Sequence, residues 1–348
     1  VEMENGGAVS EPLKLPAQSV RMFIFRDKAA ERIGVLKQKY RKVCFIHPAC
    51  QWKAAFDKPN SITIDMASWR EGNGEYSEEM PIPDIQRKVF ERAYNATGPL
   101  DITVRYKFYL SGGFAGPITL AAETEDTREL RVNGIPVTFS GWIIDKSLHT
   151  ANLDPNMLRE GENAVEAVYT LDVYDGYLSL DGIFESIRNK FAFPIEIESI
   201  YLFGDFSAVP AAGNIQRMPN YVRVDTTHFV LSLPQEEQNI CGSQLKDCLL
   251  KFNRCFYRGN VVFESSFTLA GDADRIFVRI GRVHGAGAQI SVNGSKPQVT
   301  FGNGELDVTS QVHSGENSIR VEVWGNNRNL LGPHHHIAAE ERFIGPSM

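Results

Sequence analysis

Apolar and polar residues alternate along most of this chain, the period of a half-buried strand. Val20, Met22 and Ile24 show the alternation within residues 11–26. Longer runs predict strands over 61–69, 100–110, 118–124, 128–132, 163–172 and 195–206. The later half predicts strands over 221–224, 228–233, 261–269, 275–280, 289–292 and 318–323. Ser111-Gly112-Gly113 and Gly302-Asn303-Gly304 are typical of the turn clusters between them. Residues 27–40 are the clearest helical stretch, with Ala29, Ala30, Ile33, Leu36 and Tyr40 in a rough apolar stripe. Many short strands with such punctuation predict an all-β fold of sandwiches or barrels.

The pattern repeats. The first half carries Leu130-Arg131-Val132-Asn133-Gly134, and later Gly161-Glu162-Asn163-Ala164-Val165. The second half carries Ile290-Ser291-Val292-Asn293-Gly294, and later Gly315-Glu316-Asn317-Ser318-Ile319. Asn-Gly supplies the two left-handed residues that a tight hairpin turn needs. Gly and Asn ahead of an alternating strand tolerate a left-handed entry turn. Both motifs are folding devices, and their recurrence at long range predicts a duplicated domain.

A strand, a Val-Asn-Gly turn, an Asp-Val-Thr-like element and then Gly-Glu-Asn before an alternating strand resemble the galactose-binding-like jelly roll. That module is familiar as the sugar-binding domain of glycoside hydrolase family 2 enzymes and related large bacterial glycosidases. Leu306-Asp307-Val308-Thr309 through Val323 follows the pattern in the second copy, whereas Ala151-Asn152-Leu153-Asp154 replaces the Asp-Val-Thr element in the first. Ile197–Phe206 and Asn327–His336 also look like the C-terminal halves of such proteins. The resemblance implies an all-β fold of two galactose-binding-like jelly-roll β-sandwiches with a short N-terminal strand and helix. The expected division is 1–55 for that N-terminal segment, read as the end of a preceding domain, then 56–208 and 209–348 for the two sandwiches. It implies a non-catalytic carbohydrate-binding or structural region of a larger glycoside hydrolase, with the catalytic domain upstream. A stand-alone carbohydrate-binding or adhesion module is the alternative. A glycoside hydrolase with a carboxylate site between the sandwiches is the third reading.

Charge and composition narrow the partners. The 348 residues carry a net charge of −7, which argues against a nucleic-acid surface. The apolar runs are too short for a membrane-spanning helix. The first residues show no basic region followed by an apolar run. Five cysteines, an odd number, favour ordinary thiols over a disulfide framework or a metal site, and lean towards a reducing, cytoplasmic compartment. No cofactor is expected.

A glycan or oligosaccharide is the expected ligand. Its C–H faces lie on flat aromatic rings and its hydroxyls take directional hydrogen bonds. Trp324, Trp142 and Tyr177 stand beside turn-like segments, and Asn326, Arg328, His334 and His336 follow Trp324 with donors for hydroxyls. Ile319, Val321 and Val323 share one strand face, which puts Trp324 on the other. Packing in the core is the competing role for each aromatic. Glu123, Glu125, Asp126, Asp172, Asp175, Asp181, Glu185 and Asp205 are acidic, but no local signature selects a catalytic pair from them.

Overall fold

Strand alternation is written directly into the packing. In Leu100–Leu110, the residues Ile102, Val104, Tyr106 and Phe108 are buried, while Asp101 faces solvent. Val165, Ala167 and Tyr169 do the same in Gly161–Leu171. Each fully buried side chain of this size contributes about 2 kcal/mol of gross hydrophobic stabilisation. The computed structural model describes residues 2–4, 7–9, 43–46, 51–94, 96–171, 195–217, 222–235, 239–271, 273–281, 283–301, 304–332 and 334. The expected helix over 27–40 lies outside the described residues. The fold is an all-β sandwich fold.

The chain divides into two compact units. The larger comprises Pro59–Glu236, Leu249–Arg258 and Asn327–Met348. Its first sheet runs Ile135–Pro136, Glu129–Val132, Gly161–Leu171, Leu100–Leu110. Beyond the last, Met66–Glu71 pairs along 102–106 and leads to Met80–Pro81, and Phe229–Ser232 pairs along 109–110 and leads to Ser207–Pro210. Its second runs Gly141–Ile143, Asp145–Leu153, Ile118–Glu123, Ile200–Gly204, Asn60–Ile64. The core joins Ile102, Val104 and Tyr106 to Leu120, Leu202 and Ile62. The helix Ile82–Tyr94 adds Ile82, Ile85, Val89 and Ala93 to that core, an i, i+3, i+7, i+11 stripe. Arg92 clamps the helix to Glu71 through two charge-assisted hydrogen bonds of 2.7 and 2.9 Å.

The smaller unit comprises Val1–Lys58, Glu237–Cys248 and Gly259–Asn326. One sheet runs Asn239–Cys241, Gln51–Phe56, Val261–Leu269, Gly315–Trp324, Gly287–Val292, Gln298–Thr300. The other holds Gly304–Asp307, Arg275–Ile280 and Val43–Ile46, the last two parallel.

The duplication is present in the strand order. From one edge, 135–136, 129–132, 161–171, 100–110 and 66–71 correspond to 298–300, 287–292, 315–324, 261–269 and 51–56, antiparallel throughout. The turns agree atom by atom. Asn133 and Asn293 have φ of 49° and 51°, and Gly134 and Gly294 have φ of 83° and 70°. Asn133 donates to Asn163 Oδ1 at 2.8 Å, and Asn293 donates to Asn317 Oδ1 at 2.8 Å. Asn163 Oδ1 also accepts from the backbone N–H of Arg159, and Asn317 Oδ1 from that of His313, both at 3.0 Å. Each buried amide nitrogen then donates to two carbonyls, Arg159 and Gly161 in one copy and His313 and Gly315 in the other. The Asn of Gly-Glu-Asn is therefore the clasp that ties the entry of the long strand to the hairpin of its neighbour.

Candidate functional site

The outer face of the larger sheet in the smaller unit brings together the most ligand-like side chains. In Gly315–Trp324, Ile319 and Val321 are buried, and Glu322 and Trp324 occupy the opposite face. Gly287 stands opposite Trp324 in the neighbouring strand. A Cβ there would lie 2.9 Å from the Phe301 ring and 3.0 Å from the Trp324 ring, so both rings rest on the glycine. Their centroids are 6.2 Å apart and their planes are inclined at 60°. Phe301 is 49% exposed and Val299, beside it, 47%. Ala286 N donates to Trp324 O at 2.8 Å, and this holds the strand end where the indole emerges.

A polar row lies next to the rings. Glu322 Oε2 accepts from Gln289 Nε2 at 2.9 Å and from Arg320 Nη1 at 3.1 Å. Glu322 Oε1 accepts from Asn260 Nδ2 at 3.3 Å, and Asn260 Oδ1 accepts from Gly325 N at 3.1 Å. A held carboxylate and two amides beside aromatic surface can order hydroxyl groups with little side-chain entropy still to lose.

The duplicate copy is an internal comparison. Counting on from each buried asparagine places Thr170 where Trp324 stands, and counting back from each Asn-Gly turn places Thr127 where Gly287 stands. Thr170 joins a polar cluster instead, donating to Asp101 at 2.7 Å and accepting from Arg128 at 3.0 Å. The sandwich frame is shared, and the aromatic pair belongs to one copy.

The other sequence candidates have separate surroundings. Asn326 is exposed. Arg328 opens the short helix Arg328–Leu331 and donates to Gly332 O at 2.7 Å. His334 Nε2 donates to Leu330 O at 3.1 Å, and its ring meets Phe256 edge-on at 5.5 Å. Arg328 and His334 thus brace the end of that helix, within the larger unit. Trp142 is 58% exposed on the edge strand Gly141–Ile143, opposite His149. Tyr177 and His336 lie outside the described residues.

Among the carboxylates, Asp172, Asp175, Asp181 and Glu185 lie outside the described residues. Glu123 accepts from Ser147 Oγ at 3.1 Å, and Asp126 accepts from Glu196 N at 2.8 Å. Burial raises the Glu123 carboxyl above its usual range. The acidic group that sequence reasoning missed is Glu198. Desolvation by the surrounding protein, with Glu123 and Glu196 adding like charge, pushes its carboxyl up to about 7, although the residue keeps a solvent-exposed side. The Tyr201 hydroxyl is raised by burial and by the same two carboxylates, Glu198 and Glu123. Burial also pushes the Cys255 thiol up to about 11, which makes it a poor nucleophile. Among the described residues, no group of three His, Cys, Asp or Glu side chains is placed to hold a metal. No helix among them is long and apolar enough to cross a membrane.

No protein-family model matches the sequence, and no curated protein matches it. Solved structures similar to the chain include a β-D-mannosidase from Dictyoglomus thermophilum, at 10% identity and TM-score 0.27, covering 77% of this chain and 31% of that one. A GH2 β-galacturonidase from Eisenbergiella tayi bound to galacturonate shares 12% identity at TM-score 0.25, covering 73% of this chain and 37% of that one. A β-glucuronidase from Ruminococcus gnavus in complex with uronic deoxynojirimycin shares 11% identity at TM-score 0.28, covering 82% and 44%. The chain thus spans less than half the length of these solved structures.

Proposed function

We propose that the chain is a non-catalytic, carbohydrate-contacting region of a larger glycoside hydrolase, working beside an upstream catalytic domain of the same polypeptide. The observation that carries the glycan contact is the pairing of exposed Phe301 with half-buried Trp324 over Gly287. Its support is the hydrogen-bonded row of Gln289, Glu322, Arg320 and Asn260 alongside, which matches hydroxyl groups beside an aromatic surface. The link to a glycosidase rests on the repeated Val-Asn-Gly and Gly-Glu-Asn motifs and their resemblance to galactose-binding-like modules. A single such contact binds weakly, with a Kd near the millimolar range, about −4 kcal/mol. Titration of the full chain with an oligosaccharide panel, followed by NMR, tests it. Saturable shifts that vanish in Trp324→Ala are expected, and a flat titration across the panel overturns the reading.

A second reading is favoured by one observation. Glu198, at about 7 and close enough to Glu123 to be raised by it, is the pair with which a hydrolase could hold one carboxyl protonated and the other charged.

A further inference from the structure

Resting on that reading, we infer that the aromatic face takes one free, neutral glycan chain whose successive residues turn against each other, and not a flat polysaccharide surface or a uronic-acid chain. Rings that serve a flat ribbon must be close to coplanar, so that one plane of C–H groups touches both. Phe301 and Trp324 are inclined at 60° with centroids 6.2 Å apart. No single plane meets both ring faces. Two successive sugars touch both only if the second is rotated from the first, as in α-1,4- or β-1,3-linked chains, whereas β-1,4-linked chains present a nearly flat ribbon. The inclination is fixed from below. A Cβ at Gly287 would lie 2.9–3.0 Å from both rings, so a methyl group there would force them aside.

Charge supplies the second part. The ionic groups around Glu322 are paired. Arg320 pairs with Glu322 at 3.1 Å and with Glu264 at 3.7 Å, and Lys53 stands opposite Glu264 in register. Glu322 stands two residues before Trp324 on the same strand face, and an anionic sugar there would meet a like charge. Hydroxyls, in contrast, find acceptors in Glu322 and donors in Gln289 and Asn260.

Isothermal titration of the full chain with maltohexaose, laminarihexaose, cellohexaose and hexagalacturonate tests this, with a pull-down on microcrystalline cellulose. Maltohexaose or laminarihexaose should bind at least about tenfold more tightly than the other two. That binding should fall at least about tenfold in Trp324→Ala and again in Phe301→Ala. Phe301 is half exposed, so its variant keeps the fold, as a thermal melt verifies. Equal or tighter binding of cellohexaose, retention on cellulose, or preference for hexagalacturonate overturns the inference and leaves the glycan contact standing. Silence from all four oligosaccharides overturns the glycan contact itself.

Discussion

Asn163 and Asn317 fill every hydrogen-bonding position that an amide side chain offers. Each oxygen accepts twice and each nitrogen donates twice, at 2.7–3.1 Å. Both are essentially without solvent exposure. Replacing Asn317 with Ala leaves the carbonyls of His313 and Gly315 and the amide of Asn293 without their partner. The expected loss is about 2–4 kcal/mol, read as a lowered denaturation midpoint. Asn163→Ala should cost about the same in the larger unit. Glu198 behaves differently. Its folded value, about 7, stands above the ordinary value of 4.5. The proton it carries therefore stabilises the fold fully below about pH 4.5, and that stabilisation is lost as pH rises through about 7. Glu198 is open to solvent, so screening holds the loss to about 1 kcal/mol. Urea unfolding of the larger unit between pH 4.5 and 8 should show this decline, and Glu198→Gln should flatten it. A Gln variant with the parent's slope would assign the decline to another group.

Among the elements, Gln51–Phe56 is the most informative. Trp52 and Ala54 are buried and pack its inner face, and its partner Val261–Leu269 lies more than two hundred residues later. Nothing local to Gln51–Phe56 encodes that pairing, because only two inward positions mark it as a strand. The long strands were legible for the opposite reason. Five or six alternating positions in 100–110 and 261–269 leave one period possible. The helix Ile82–Tyr94 was missed because its inward stripe holds one residue per turn and its start carries Pro81 just before it and Pro83 within it, which read as punctuation. Trp324 was placed on the outer face by parity with Ile319 and Val321. Phe301 was not legible, since it sits just past a three-residue strand and meets Trp324 only because Gly287 lies between them. Deleting residues 1–56 should strip the edge of 261–269. Hydrogen exchange should then show loss of protection over 261–269 and 315–324, while 100–110 and 161–171 stay protected. Retained protection in both pairs would mean that Gln51–Phe56 is dispensable.

At the scale of the whole chain, two copies of one frame have diverged in what they display. The smaller unit shows inclined rings beside a paired polar row, and the larger shows an exposed Glu198 whose carboxyl Glu123 helps to raise. A sandwich frame by itself fixes neither role. Glycoside hydrolysis needs one carboxyl to protonate the leaving oxygen and a second to attack or to activate water across the scissile bond. Glu198 has the raised carboxyl of a general acid and is open to solvent, so turnover is what separates an accessory region from a hydrolase. The chain alone is expected to leave a panel of aryl glycosides and natural oligosaccharides unhydrolysed at pH 5–8, with rates equal to the blank. Glu123→Gln and Glu198→Gln should not change those rates. Turnover that either substitution abolishes would overturn the accessory reading, and would make the Glu123–Glu198 pair the catalytic centre of the larger unit.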